Sequence, residues 1–132
     1  MMQNKISKLQ ALYEQLLNSE LLTYHEVKSL RDIMGVYLIY NTDNEIIYIG
    51  STNKFHVRFG IDLNHESTHT LIRKLLKAGV HKDRIEAKNH FKDHYKYRIK
   101  ECSNKREAEA LEHLAIWALN PKHNHNYIPI AL

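Results

Sequence analysis

Cysteine is nearly absent: Cys102 stands alone among 132 residues. One cysteine cannot form an internal disulfide, and cysteine-based zinc sites are excluded. The expected compartment is a reducing cytoplasm. Glycine is also scarce, at four residues, and no glycine-rich phosphate loop, HExxH pair or nucleophile elbow is present. The hydrolases and nucleotide-binding proteins built on those motifs are therefore excluded. No apolar run approaches the length of a membrane-spanning helix, and Met1-Met2-Gln3-Asn4-Lys5 lacks the apolar core of a signal peptide, so no membrane partner is expected. There is no internal repeat, low-complexity tract or linker. A chain of this length buries a core without disulfides and reads as one compact unit.

Positive charge is present but unevenly placed. The net charge is +4. Residues 73–106 hold twelve Lys/Arg against four Asp/Glu, a local excess of eight, while residues 1–50 hold four against six. A concentrated basic segment attracts phosphate backbones. The bland reading is a solvated surface, and on charge alone the two stand level.

Apolar periodicity divides the chain into an N-terminal helical arm, 1–32, and a second unit, 33–132. Ile6, Leu9, Leu12, Tyr13, Leu16 and Leu17 follow helical spacing within 3–22. That arm is either cladding for the core or an oligomer surface. Thr23-Tyr24-His25-Glu26 has the form of a capping box opening a short helix to Arg31. Residues 34–49 then read as a β-hairpin. If its loop is even, with Thr42 and Asp43 at the tip, Tyr37 faces Tyr48 and the phenols share a sheet face; an odd loop places them on opposite faces. Lys54 to Ile61 is expected as a short helix carrying Arg58, Asn64–Ser67 as a loop, and Thr68 to Ala78 as an amphipathic helix ended by Gly79. His69 falls in its first turn. Residues 80–93 read as a loop with one helical turn. Tyr95, Tyr97 and Ile99 alternate with Lys96, Arg98 and Lys100, the period of a strand. Ser103 or Asn104 opens a last helix to Leu119, ended at Pro121, and Ile128-Pro129-Ile130 docks on the core. The fold class is α/β of α+β type: a small three-stranded antiparallel sheet flanked by helices.

Glu112 is the anomaly on the last helix. Helical geometry sets it between Ala108 and Ile116, beside apolar neighbours, where a carboxylate needs a partner or a metal. A salt bridge to Lys105 or Arg58 is the plain structural reading. A lone carboxylate completed by water and phosphate oxygens suits Mg²⁺. Taken singly, Tyr37 and Tyr48 are packing residues, Arg58 an ion-pairing arginine and His69 a helix-margin histidine. His123-Asn124-His125 spells the name of another nuclease motif but, as adjacent residues in a tail, cannot build it.

In order, the chain shows Gly35-Val36-Tyr37, Tyr48-Ile49-Gly50-Ser51-Thr52, Arg58, His69, Glu112 and an asparagine after Pro121. This series resembles the GIY-YIG endonucleases from about Met34 to Asn126. Val36 replaces the usual isoleucine. Asp62 stands where many members have a histidine, so the histidine role falls to His69, or to His65. The terminal asparagine is Asn124 or Asn126, with Asn124 preferred. The basic stretch 80–93 is longer than the minimal domain needs.

The resemblance implies an enzyme that hydrolyses DNA phosphodiesters with one Mg²⁺ or Mn²⁺ held by Glu112. It implies Tyr37 as general base, Tyr48 as a partner of the phosphate or nucleophile, Arg58 as transition-state cation, His69 as proton relay and Asn124 as a geometric pin. Lys54, Arg73, Lys74, Lys77, Lys82, Arg84 and Lys88 are the candidate nucleic-acid contacts. The expected enzyme is a small standalone one of phage, mobile-element or restriction type acting on double-stranded DNA, with the leucine-rich arm as a candidate homodimer or oligomer surface. The alternatives are a non-cleaving nucleic-acid-binding module of this fold and an RNA-directed nuclease.

Overall fold

The structure is a computed structural model and describes residues 2–30, 33–55 and 70–124. The elements run α1 (Met2–Leu17), α2 (Tyr24–Lys28), β1 (Gly35–Tyr40), β2 (Ile46–Thr52), α3 (Thr70–Lys77), α4 (Arg84–Asp93), β3 (Lys96–Glu101) and α5 (Lys105–Leu119). The three strands form one antiparallel sheet in the order β2-β1-β3.

Helices cover both faces of this sheet. Val36, Leu38 and Ile49 pack with Leu12 and Leu16 of α1 and with Leu111 and Ala115 of α5. On the other face Tyr37, Ile39, Tyr48 and Tyr97 pack with Val27 of α2, Leu71 and Leu75 of α3, and Ala87 and Phe91 of α4. The central strand is thus buried on both sides, which is why Gly-Val-Tyr-Leu-Ile-Tyr reads as a continuous apolar run rather than an alternating one. The apolar stripe of α1 is used within this fold.

Three sequence expectations are corrected. First, Tyr37 is paired with Gly50, and Tyr48 with Ile39; the tyrosines are diagonal neighbours, not opposite partners. The loop between the strands has five residues, Asn41 to Glu45, so its parity is odd. A bulge between Ile39 and Tyr40, with Ile47 of β2 as the extra residue, restores the parity: Ile47 and Tyr48 both face the same core, and the phenols still share a face. The Asn41 side chain closes the loop by accepting from the Asp43 and Glu45 amides, and Asn44 takes the left-handed conformation.

Second, residues 84–93 are a helix, not a loop. Asp83 caps it by accepting from the Glu86 amide, and only Ala87 and Phe91 are buried, four residues apart. An apolar stripe two residues long is too short to register as a period. Third, the first helix stops at Leu17 rather than running to 22. Asn18 and Ser19 turn their side chains back onto the Glu14 and Leu16 carbonyls. Leu22 instead bridges Tyr97 through both backbone bonds and covers the outer side of β3.

Other local signals are present as expected. Thr23 and Glu26 form the capping box of α2. Gly79 ends α3 with its amide on the Leu76 carbonyl and the Val80 amide on that of Leu75, a Schellman closure. Asn104 caps α5, and left-handed Asn120 ends it before Pro121. The expected Lys54–Ile61 helix, the 64–67 loop, the docking of Ile128-Pro129-Ile130, and the residues Arg58, Asp62, His65, His69 and Asn126 lie outside the described residues. No described helix is long and apolar enough to cross a membrane.

Two glycines set how closely the strands and side chains approach. A Cβ at Gly35 would lie 2.0 Å from the Lys100 carbonyl oxygen. A Cβ at Gly50 would lie 2.4 Å from the Tyr37 hydroxyl and 2.5 Å from its Cζ. Gly35→Ala must move backbone and is expected to destabilise by about 3 kcal/mol in denaturant unfolding. Gly50→Ala must move the Tyr37 ring, and the stability loss is expected to be smaller.

Candidate active site

The hairpin brings the two phenols together. Tyr37 and Tyr48 have ring centroids 6.4 Å apart, and Phe55 meets Tyr37 edge-on at 6.1 Å. Because Gly50 has no side chain, the Tyr37 ring lies over it and its hydroxyl reaches β2, the outer strand of the sheet. Lys74 of α3 places its ammonium 5.6 Å from the centre of the Tyr48 ring, a cation–π contact. Burial lowers the Lys74 pKa from its ordinary value.

Glu112 is held by the helix on the other face. Its neighbours Ala108 and Ile116 are buried, and it is itself half-buried. Ser51 donates its hydroxyl to Glu112 Oε1 at 2.7 Å. Lys105, one of the two cations the sequence offered as a partner for Glu112, lies 4.0 Å from Glu109 instead. Ser51, Thr52, Asn53, Lys105, Ala108, Glu109, Glu112 and His113 line a cleft of about 370 Å³. The phenols and the carboxylate therefore occupy opposite layers. Gly50, which lies against the Tyr37 hydroxyl, and Ser51, which bonds Glu112, are consecutive residues of β2.

Asn124 secures that strand. It is buried, its Oδ1 accepts from the Ile49 amide at 2.9 Å, and its Nδ2 donates to the Ile49 carbonyl at 2.9 Å. The adjacent His123 amide donates to the Ile47 carbonyl at 3.0 Å. One side-chain amide thus satisfies both backbone groups that a further strand would pair. His123 is half-buried, and burial, with Lys122 and Lys74 nearby, lowers its pKa.

The expected nucleic-acid contacts fall mostly on the tyrosine layer. Arg73, Lys74 and Lys77 are on α3, Lys82 precedes α4, and Arg84 and Lys88 are on α4; Lys54 follows β2. Arg73, Lys77, Lys82 and Lys54 are exposed, whereas Lys74, Arg84 and Lys88 are half-buried. Sequence reasoning missed three participants: Ser51 as the carboxylate's partner, Lys74 as the cation over Tyr48, and His123. For Ser51 a signal existed, since strand alternation from Ile49 puts it on the α5 face.

A model of the GIY-YIG catalytic domain matches residues 33–126. The chain belongs to the GIY-YIG catalytic domain family. Among solved structures it is similar to the N-terminal endonuclease domain of UvrC from Thermotoga maritima. The magnesium-bound form is 24% identical, with a TM-score of 0.52 over 76% of this chain and 92% of that chain. A tyrosine-to-phenylalanine point mutant of it, bound to its catalytic divalent cation, is 22% identical, with a TM-score of 0.53 over 76% and 91%. An asparagine-to-alanine mutant, also bound to the cation, is 21% identical, with a TM-score of 0.53 over 76% and 91%. These likenesses establish a common fold. The comparison with curated proteins returned no match.

Asn124→Ala removes both bonds to Ile49 and leaves two buried backbone groups unpaired; a loss of about 2–3 kcal/mol is expected in denaturant unfolding. His123 gives a pH signature. Its pKa is lowered in the folded chain, so the unfolded chain takes up the proton first as pH falls. Stability is full above the ordinary histidine pKa near 6.5 and declines as pH drops from there toward the folded value. Melting temperatures measured from pH 7.5 down to 5.5 should fall, and His123→Gln should flatten part of that slope.

Proposed function

We propose that this chain is a divalent-metal-dependent endonuclease that hydrolyses DNA phosphodiester bonds at the outer edge of β2. The observation that carries the reading is the combination, within one matched catalytic domain, of paired phenols and a half-buried carboxylate on either side of Gly50-Ser51. The relatives named above are endonuclease domains with a catalytic divalent cation, and they support this reading.

The donors at Glu112 fit a hard cation. The carboxylate and the Ser51 hydroxyl are oxygen ligands, and the cleft beside them has room for water. Mg²⁺ prefers oxygen and retains much of its hydration shell. When bound there, Mg²⁺ or Mn²⁺ supplies positive charge against the scissile phosphate and the leaving 3′-oxygen.

The chain's own groups do the rest. Basic residues of α3 and α4, with Lys54, hold the phosphate backbone, so binding weakens as salt rises. Tyr37 takes the proton of the attacking water. A free phenol has a pKa of about 10 and is a poor base at neutral pH, so cations near it matter. Arg58 is assigned that role together with stabilisation of the transition-state charge, and His69 relays the proton. Lys74, over the Tyr48 ring, adds a further positive charge to the same layer. Tyr48 hydrogen-bonds the phosphate or the nucleophile. Asn124 keeps β2 in register beneath all of these. One such site cuts one strand. A duplex break then needs a second event or a second protomer; with the stripe of α1 buried, Ile6 and Leu21 are exposed large apolar residues among the described residues of the arm.

Supercoiled plasmid incubated with Mg²⁺ or Mn²⁺ should be nicked by wild type. Glu112→Ala and Tyr37→Phe should each lower the rate by about 100-fold or more while leaving DNA binding in a gel shift unchanged. Binding without cleavage by wild type would favour the non-cleaving module. Cleavage of single-stranded RNA but not plasmid would favour the RNA-directed nuclease.

A further inference from the structure

A second cluster of donor groups lies in the tyrosine layer, apart from the Glu112 cleft. His81 is buried just before α4. Its Nδ1 is 3.2 Å from Glu86 Oε1, and its Nε2 is 2.9 Å from the Tyr95 hydroxyl. The His90 ring centre is 4.4 Å from that of His81, and the His94 ring is 4.8 Å from that of His90. One ligand atom from each of His81, Glu86 and His90 lies within 4.8 Å of the others.

The backbone explains this convergence. Glu86 and His90 are spaced by four on one face of α4, and His94, four residues further, is the residue that caps its C-terminus. The Asp83 cap fixes the first turn, and the connection from α3 folds His81 back over that face. A row of three imidazoles, His81 against His90 and His90 against His94, beside a carboxylate is poorly explained by an ion pair alone. A single Glu86–His81 contact needs neither His90 nor His94.

We propose that His81, Glu86 and His90 form a zinc site of structural role. Two imidazoles and one carboxylate are a donor set suited to Zn²⁺ and unlike the all-oxygen set at Glu112. Tetrahedral zinc with bonds of about 2.0–2.1 Å requires ligand atoms about 3.3 Å apart. His81 Nδ1 and Glu86 Oε1 already have that spacing, and His90 has to approach by rotation of its side chain. With zinc on Nδ1, His81 donates its Nε2–H to the Tyr95 hydroxyl 2.9 Å away, which fixes the ring in the usual outer-shell arrangement for a ligating histidine. His94, one turn beyond His90, or a water supplies the fourth position. Bound zinc ties the α3–α4 connection to α4 and thereby fixes the helix that carries Arg84 and Lys88. The proposal is independent of the nuclease reading.

The test uses the full chain stripped of metal by chelator and then titrated with Zn²⁺, and separately with Co²⁺ as a spectroscopic probe, in excess Mg²⁺. One equivalent of zinc should bind and raise the melting temperature, and cobalt should give the intense visible bands of tetrahedral coordination. His90→Ala and Glu86→Gln should each weaken zinc binding by at least about 100-fold, since losing even an outer-shell partner costs 10–100-fold. Circular dichroism identifies any variant that fails to fold, and the other then decides. Glu112→Gln should bind zinc as wild type does. Absence of tight zinc binding, equal affinity in a folded His90→Ala or Glu86→Gln variant, or loss of the zinc in Glu112→Gln would overturn the site.

Discussion

The ring of Tyr37 lies across a residue that has no side chain, and the candidate site depends on that contact. Tyr37 is paired with Gly50 on the neighbouring strand. Any Cβ there would occupy the space of the phenol. The absence of one lets a residue of the central strand extend its hydroxyl to the outer strand. Ser51, the next residue along that strand, holds Glu112 from the opposite layer through its hydroxyl. The two glycine–tyrosine motifs thus have a packing meaning: one supplies the ring and the other supplies the space.

Everything around β2 serves to keep that outer strand fixed without a further strand. β3 has its far side covered by Leu22. β2 has the segment after α5, with Asn124 bonding Ile49 and the His123 amide bonding Ile47. A side-chain amide satisfies the strand while adding no width to the sheet. The strand's end at Ser51 and Thr52 is left facing the cleft. Support and access are therefore divided along a single strand, and a loop residue far away in sequence determines the division.

Much of this was legible in the sequence because the signals are local. The Thr23–Glu26 box, the Gly79 stop, the Asn104 cap and the amphipathic stripe of α3 each depend on a few neighbouring residues, and each was readable. The shared face of the two tyrosines was also expected, but for the wrong register: an odd loop and a compensating bulge together restore the parity. A bulge leaves almost no trace in residue types. The helix at Arg84–Asp93 was missed because only Ala87 and Phe91 are buried on it. The Ser51–Glu112 bond spans 61 positions and the Asn124–Ile49 pair spans 75; no periodicity reports contacts at that range. The resemblance singles out Asn124 and Glu112, but not what they touch.

The central claim is that Tyr37 and Glu112, on opposite layers of the sheet, act on one phosphate around Gly50-Ser51. A crystal of the protein soaked in Mn²⁺ tests it most directly, through the anomalous signal of the ion. A peak is expected at the Glu112 carboxylate, with the Tyr37 hydroxyl within reach of the ion's surroundings through one water, whether or not the separate His81–Glu86–His90 cluster also takes up the ion. No peak at Glu112, or a peak there with the Tyr37 hydroxyl sealed beneath the α3 layer, would overturn it.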